Sequence, residues 1–451
     1  MTDPLETLRT SITVLIEAKK YAILQELLQT MNAADVASLF EDLKEEYIPR
    51  LYRLLPKELA ADTFVEMEPE TQELLIKGFS DNELKEVINE LYVDDAVDLV
   101  EEMPANVVSR ILASADLEKR KMINNLLQYP EDSAGSIMTT EYVELRRHMT
   151  AEEAIKHIRR SGITKETINN CYVTSGDRKL MGVITIRSLI MADADERMED
   201  LMEDNVLSVT TLDDQEEVAQ MFSKYNLIAM PVVDKEGRLV GIVTVDDVLD
   251  VLQEETTEDI EKMAAIVPTD KPYLRQTIFE LWKSRIPWLL LLMVSATFTG
   301  MIITSFEDAL AKFVVLTAYI PMLMDTGGNS GSQASVTVIR GISLGEVEFE
   351  DFFRVIWKEI RVALLCGATL AVCNFAKLLL FDKLSMIVAL TICLTLVVTI
   401  FCAKIVGCTL PLIASKLGFD PAVMASPFIT TIVDAISLLV YFQFATRLLG
   451  I

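Results

Sequence analysis

The stretch IPWLLLLMVSATFTGMIITSF, from Ile286 to Phe306, holds no charged side chain over 21 positions. Coiled as a helix rising about 1.5 Å per residue, it crosses a hydrocarbon layer of ~30 Å. Four more runs follow it. From Phe313 to Ile339 the only charge is Asp325, and Val362–Phe381 holds only Lys377. Leu384–Ala403 is uncharged throughout, and Pro421–Thr446 carries one charge, Asp434. One such run fits a buried soluble helix, but five in succession predict five transmembrane helices over residues 281–451.

Outward from these runs the composition changes. The 451 residues include 41 Lys and Arg against 68 Asp and Glu, a net charge of −27, although 51% are hydrophobic. Up to Glu280 there are 29 basic and 57 acidic residues; from Leu281 there are 12 and 11. The acid excess therefore sits wholly upstream of the apolar runs. This excludes a single soluble domain, a secreted disulfide framework and a nucleic-acid binder, which would need basic stripes.

Lys and Arg in the short loops set the expected orientation. Lys271, Arg275, Lys283 and Arg285 precede the first run. Arg340, Arg354, Lys358 and Arg361 lie between the second and third, and Lys404 and Lys416 between the fourth and fifth. All fall on the side of the N-terminal region, and Trp282, Trp288 and Trp357 flank the same ends as interfacial anchors do. Met1–Thr10 offers no apolar signal segment. The N-terminal region is thus expected in the cytosol and the C-terminus outside, in the cell membrane. Five of the six cysteines lie in or beside the runs, no C-x-x-C pair occurs, and the only histidines are His148 and His157. Zinc sites and disulfide frameworks are not expected.

Residues 1–132 read as successive short helices, with apolar positions three and four apart, as in Val100, Met103, Val107 and Ile111. Prolines 56, 69, 104 and 130 punctuate them. The pattern fits a solenoid-like array or a compact helical bundle. Residues 133–252 repeat internally. Thr150-Ala-Glu-Glu-Ala154 matches Asp214-Gln-Glu-Glu-Val218, and Gly182-Val-Ile-Thr185 matches Gly241-Ile-Val-Thr244. Each copy (about 137–200 and 201–252) reads as helix, strand, turn, strand, helix. The pair resembles tandem CBS domains, modules that often bind adenine nucleotides. In that family an Asp three residues after the Thr that ends the second strand holds the ribose. Thr244 and Asp247 keep this spacing, whereas Thr185 is followed by Ser188. Adenine-nucleotide binding is therefore an open expectation at the second copy only.

Residues 253–280 are read as a connecting, plug-like helix. Its acidic stripe starts upstream: Asp246, Asp247, Asp250, Glu254, Glu255, Glu258, Asp259 and Glu261 precede the first base, Lys262. A solvated face is the default for such a run. Against that default, the run directly precedes the apolar half, and the helical array offers its own i,i+4 pair, Asp94 and Asp98. Hard oxygens without basic partners suit Mg²⁺ or Ca²⁺, often through water.

Ionisable groups inside spans are costly and usually functional. Ser426, Thr430 and Asp434 share one face of the last run. Asn329 and Gln333 add amides to the second, where Gly327/Gly331 and Gly328/Ser332 form small-xxx-small pairs suited to close helix packing. Three enzyme-like readings fail. Asp325-Thr326-Gly327 copies a protease triplet without the partner G-x-G-D; the glycine string lacks the Lys of a phosphate loop; and the apolar half has no histidine for a nucleophilic triad. No enzyme is expected.

The order of parts, with PMLMDTGGNSGSQ from Pro321 and GFDPAVMASPFITTIVDAISLLVYF from Gly418, resembles the MgtE family of magnesium channels over essentially the whole chain. The resemblance implies a multidomain membrane protein: an all-α helical N domain, an α/β tandem CBS pair, an acidic connecting helix and five transmembrane helices. It implies a homodimer with a pore between the two membrane domains, in which Asp434 from each copy binds hydrated Mg²⁺. Residues matching the family's gating sites are Asp94, Asp98, Glu216, Asp247, Asp250, Glu255, Glu258, Asp259 and Asp420. Ser426 stands where some members carry Asn, and Asn226 where an acid can stand. The alternatives are transport of Co²⁺, Ni²⁺ or Mn²⁺, an ion-coupled carrier, or a membrane-anchored CBS sensor without transport.

Overall fold

Proline and capping residues divide the N-terminal third as their chemistry dictates. The computed structural model describes residues 4–269, 271, 273–424 and 426–450, the side chains of 4–9, 309 and 426 excepted. The chain forms two units, Met1–Val251 and Leu252–Ile451.

The first unit opens with helices α1 Pro4–Glu17, α2 Tyr21–Leu28, α3 Ala33–Glu41, α4 Ile48–Tyr52 and α5 Lys57–Val65. It continues with α6 Pro69–Gly78, α7 Asp81–Glu90, α8 Val93–Glu102, α9 Ala105–Ser114 and α10 Leu117–Leu126. Pro69 occupies the first turn of α6, where a missing N–H costs nothing. Ser80 and Glu83 form a reciprocal capping box that starts α7. Each helix is too short to persist alone in water, so burial of its apolar face must hold it. That face is filled by Leu24, Phe40, Leu51, Phe64, Leu75, Leu84, Val97 and Ile111, all buried. The helical N domain is therefore as the sequence reads.

The repeat folds as two matching three-stranded sheets. β1 Val143–Arg146, α11 Ala151–Ser161, β2 Asn170–Thr174, β3 Leu180–Thr185 and α12 Ile186–Met191 form the first copy. After α13 Met198–Leu201 come β4 Val209–Thr210, α14 Gln215–Tyr225, β5 Ala229–Val233, β6 Leu239–Thr244 and α15 Val245–Met263. In both sheets the first strand pairs parallel with the second, and the second antiparallel with the third. Thr150 starts α11 with a capping box, and Asp214 accepts the Glu216 N–H to start α14. The copies join through Tyr142, Tyr172, Leu239 and Ile242. Tyr142 donates to the Leu239 carbonyl and meets the Tyr172 ring edge-on.

The second unit holds α16 Ile278–Ser305, α17 Glu307–Lys312, α18 Ile320–Ser343, α19 Phe352–Leu380, α20 Met386–Lys416 and α21 Ser426–Leu449. Among the described residues, four stretches are long and apolar enough to cross a membrane: Ile278–Ser305, Phe349–Leu380, Met386–Lys416 and Pro421–Leu449. The second expected run, from Phe313 to Ile339, is not among them; it forms α18, a 24-residue helix whose polar middle, Asp325 to Gln333, lowers its apolarity. Residues 314–319 of that run are instead a short 3-10 segment. α20 extends past the expected Ala403 end to Lys416, with Pro411 inside it. Lys404 is thus corrected from a loop residue to a helix-interior one. It is 4% exposed, and its ammonium lies 3.5 Å from Glu359 on α19.

Close approach of α18 to its neighbours explains its glycines. A Cβ at Gly327 would lie 2.6 Å from Thr399 Cγ2 and 2.9 Å from Val433 Cγ1. At Gly331 it would lie 2.7 Å from Ile429 Cγ2, and at Gly328 2.9 Å from Thr430 Cγ2. On α20, a Cβ at Gly407 would run into the Gly331 carbonyl oxygen. The small residues therefore act as packing surfaces between α18, α20 and α21. Phe306 stacks on Phe442 at 4.5 Å, and Tyr441 donates to the Leu316 carbonyl at 3.0 Å.

Candidate cation sites

Three groups of expected site residues emerge, two of them with partners that sequence reasoning missed. The first lies on α21. Val433 and Ser437 are buried toward α18 and α20, which leaves Asp434 half-buried on the adjoining face. Among the described residues no cation pairs with Asp434, and Asp325 on α18 is near enough to act on it electrostatically. The two membrane aspartates, far apart in sequence, are thus brought together. Thr430, one turn before Asp434, donates its hydroxyl to the Pro427 carbonyl at 3.0 Å. The side chain of Ser426 lies outside the described residues. Asn329 and Gln333 are exposed on α18, on the side away from the buried Gly327, Gly328 and Gly331.

The second group closes the end of α15 within the second unit. Met263 packs against Ile339 and Ala422, which brings the last turn of α15 beside the 3-10 turn Pro421–Met424. Lys262 Nζ lies 2.6 Å from Glu258 and 2.7 Å from Asp420. Burial works against its charge, but the Asp420 and Glu258 carboxylates outweigh this and hold the ammonium above its usual value. Ser343 donates to Asp259 at 3.1 Å. Burial raises the Asp259 carboxyl, which Ser343 moderates. The acidic run therefore does have a basic partner, supplied from its own end. The i,i+4 contact with Glu258 was legible; Asp420 was not.

The third group lies in the first unit, where α8 meets the CBS copies. Asp94 is 6% exposed, and its Oδ1 is buried without a hydrogen-bond partner. Burial, then Asp247, Asp95 and Glu166, raise its carboxyl well above the ordinary range. Asp98 is exposed yet faces Asp247 and Asp95 electrostatically. Asp247 accepts the Thr244 hydroxyl at 2.6 Å. Burial still pushes it up to about 7. Thr185 and Ser188 make the equivalent hydroxyl contact in the first copy at 2.9 Å. Glu166, Glu141, Asp95 and Lys119 complete the junction, and none was singled out from sequence. Lys119 donates to the Leu91 carbonyl; burial lowers its pKa, while the surrounding acids raise it.

The remaining candidates stay dispersed. Glu216 accepts from Gln220 on its own helix. Asp250 and Glu255 lie on α15 beyond Asp247. Asn226 ends α14 in the left-handed region at φ 52°, a conformation Asn adopts readily. Among the described residues no three Asp, Glu, His or Cys side chains are preset around one metal-sized point. These acids can still serve an ion that keeps its water shell, because outer-sphere contacts need no fixed ligand cage.

Comparison with known proteins covers most of the chain. Residues 31–132 match the MgtE intracellular N domain, 134–195 and 198–254 the CBS domain, and 320–444 the MgtE divalent cation transporter model. The magnesium transporter MgtE of Thermus thermophilus is 37% identical over 98% of this chain and 99% of its own length. That of Bacillus subtilis is 33% identical over 96% of each. The crystal structure of the cytosolic domain of the Mg²⁺ channel MgtE in complex with ATP is similar at 38% identity and a TM-score of 0.52. It covers 54% of this chain and 99% of that one. The soluble part of a magnesium transporter is similar at 30% identity and the same TM-score, over 56% of this chain and 99% of that one. Helical N domain, CBS pair and apolar helices agree on one assignment: the chain belongs to the MgtE family of divalent cation transporters.

Proposed function

We propose that this chain is a Mg²⁺-selective channel or transporter of the cell membrane, working as a homodimer with five spans per copy. α18 is the span whose polar face lines the pathway. Domains follow as 1–132 for the N domain, 133–252 for the CBS pair, 253–280 for the connecting segment and 281–451 for the membrane domain. The N-terminal region and CBS pair face the cytosol and the C-terminus faces out. Removing Lys404 from the loop count leaves this intact, because Arg340, Arg354, Lys358, Arg361 and Lys416 still bias one side.

The observation that carries the reading is a half-buried carboxylate, Asp434, without a cation partner among the described residues, in a chain 37% identical to a named magnesium transporter. Mg²⁺ dehydrates reluctantly, so a roomy site lined by carboxylate, hydroxyl and amide oxygens suits its hydrated form. Two Asp434 carboxylates about 8 Å apart across a dimer axis would repel by about 2 kcal/mol at an effective dielectric of 20. A divalent ion between them reverses that repulsion; a monovalent ion cannot neutralise both.

Closure by internal Mg²⁺ follows from the acids. Mg²⁺ bound at Asp94, Asp98 and Asp247, and at Glu216, Asp250, Glu255, Glu258, Asp259 and Asp420, favours the compact cytosolic arrangement. This shifts the population toward a shut pathway. Mg²⁺ flux into proteoliposomes, with Mg²⁺ varied on the side of the N-terminal region, tests it: flux should fall as that Mg²⁺ rises. Constant flux would end the feedback reading. An adenine nucleotide at the CBS pair is a second reading, favoured by the ATP complex of the similar cytosolic domain. Calorimetric titration of the full chain with ATP tests it.

A further inference from the structure

Glu166 lies in the loop between α11 and β2, remote in sequence from every acid assigned above. Its backbone N–H donates to the Glu141 carbonyl at 2.9 Å. The Glu141 side chain in turn accepts the Val93 N–H at 3.0 Å, at the first residue of α8. This chain of bonds ties the Glu166 loop to the helix start that carries Asp94. Glu166 Oε2 is buried with no hydrogen-bond partner, as is Asp94 Oδ1 on a side chain only 6% exposed. Glu166 acts electrostatically on Asp94, and Asp247 acts on both. Burial, then Asp95, Asp246 and Asp247, push Glu166 up to about 8.

Two buried carboxylate oxygens without donors, from two domains and beside a third carboxylate, have no hydrogen-bonded cation. Lys119 donates to the Leu91 carbonyl, and its charge is shared among Glu141, Asp94, Asp95 and Glu90, so it offsets Asp94 only in part.

We propose that Glu166 is a further ligand, direct or through water, for a divalent cation held by Asp94 and Asp247, so that one ion joins the N domain to both CBS copies. The inference rests on the proposed Mg²⁺ binding at Asp94 and Asp247 and adds the first CBS copy to it. A hard divalent ion suits an all-oxygen set, and outer-sphere water spans carboxylates that are not preset in contact.

The test is limited proteolysis of the full chain in detergent at the exposed segment around residues 128–132, first in EDTA and then with rising Mg²⁺. At pH 9, where Glu166 is ionised, removing a repelling carboxylate should make Glu166→Gln slower to cut than wild type in EDTA. Its Mg²⁺-dependent gain in protection should be about tenfold smaller, equivalent to roughly 1.4 kcal/mol. Glu166→Lys brings its own ammonium and should be protected in EDTA and indifferent to Mg²⁺. A purely structural Glu166 would instead make both variants faster to cut in EDTA, with the Mg²⁺ gain unchanged, and that result overturns the proposal. So does a Glu166→Gln titration that superimposes on wild type while Asp247→Asn loses its Mg²⁺ gain, which leaves the underlying reading standing. If Asp247→Asn keeps the full gain, the Asp94–Asp247 reading fails and takes the proposal with it.

Discussion

Replacing Gly407 by Ala places a methyl group against α18 where there is no room for one. The added Cβ meets the Gly331 carbonyl oxygen, with the Gly331 carbonyl carbon at 3.0 Å and Cα at 3.2 Å. These are backbone atoms, so no side-chain rotation relieves the clash and α18 or α20 must shift. Overpacking of this kind costs about 1–3 kcal/mol. Ala also gains ~1 kcal/mol over Gly in a helix interior, which partly masks the loss. Gly300→Ala on α16 supplies the reference, because nothing lies within 4 Å of its added Cβ and only the propensity gain remains. The two variants should therefore differ by about 1–3 kcal/mol, or roughly 2–12 °C in Tm for a unit of this size. Tryptophan fluorescence during heating in detergent reads the second unit specifically, because Trp282, Trp288 and Trp357 all lie there. Gly407→Ala should also lower Mg²⁺ flux by displacing Asn329 and Gln333. Equal melting temperatures for the two variants would refute the tight α18–α20 contact.

Other consequences are equally direct. Lys262→Met leaves Glu258, Asp259 and Asp420 without their tethered cation; with each partly exposed pair worth up to about 1 kcal/mol, hydrogen exchange at 421–424 should speed up several-fold in EDTA and recover in Mg²⁺. Unchanged exchange in EDTA would mean that Lys262 does not hold the Pro421–Met424 turn. Lys404→Met strands Glu359, whose Oε2 is buried, and should destabilise by about 3–5 kcal/mol, whereas Lys404→Met with Glu359→Leu should restore most of it; chemical unfolding of the two variants decides. Glu83 is held down to about 2 by Arg53 and the Ser80 backbone N–H. Because the folded value lies below the ordinary 4.5, its contribution is present above that value and lost as pH falls through about 2. Amide exchange in α7 should accelerate over that window, and Glu83→Gln should lack the pH-dependent component.

Elements governed by local chemistry were legible in the sequence. Pro69, the Ser80–Glu83 box and the Thr150–Glu153 box fix helix starts through contacts three residues long or less. The Gly182/Gly241 repeat exposed the paired sheets for the same reason. Gly327 and Gly331 announced close packing, although not that Thr399, Val433 and Ile429 would fill the space. Lys404 was misplaced because a lysine ending an apolar run looks like a loop, and nothing nearby reveals Glu359, 45 positions earlier. Glu166 was invisible for a similar reason. A single acid in KETINN gives no periodic or spacing signal, and its significance comes from Asp94 and Asp247, brought to it by the fold. Asp434 could be picked out as an isolated charge among apolar neighbours, but its proximity to Asp325 needed three dimensions.

The pathway assignment stands or falls on Asp434. The most direct measurement is Mg²⁺ uptake by proteoliposomes containing wild type, Asp434→Asn or Asp434→Ala at matched protein content. Loss of uptake in the Ala variant, together with loss of uptake or of Mg²⁺ selectivity in the Asn variant, is the expected result. Wild-type rate and ion preference in the Asn variant would contradict it, because a neutral amide cannot supply the negative charge on which divalent selection depends.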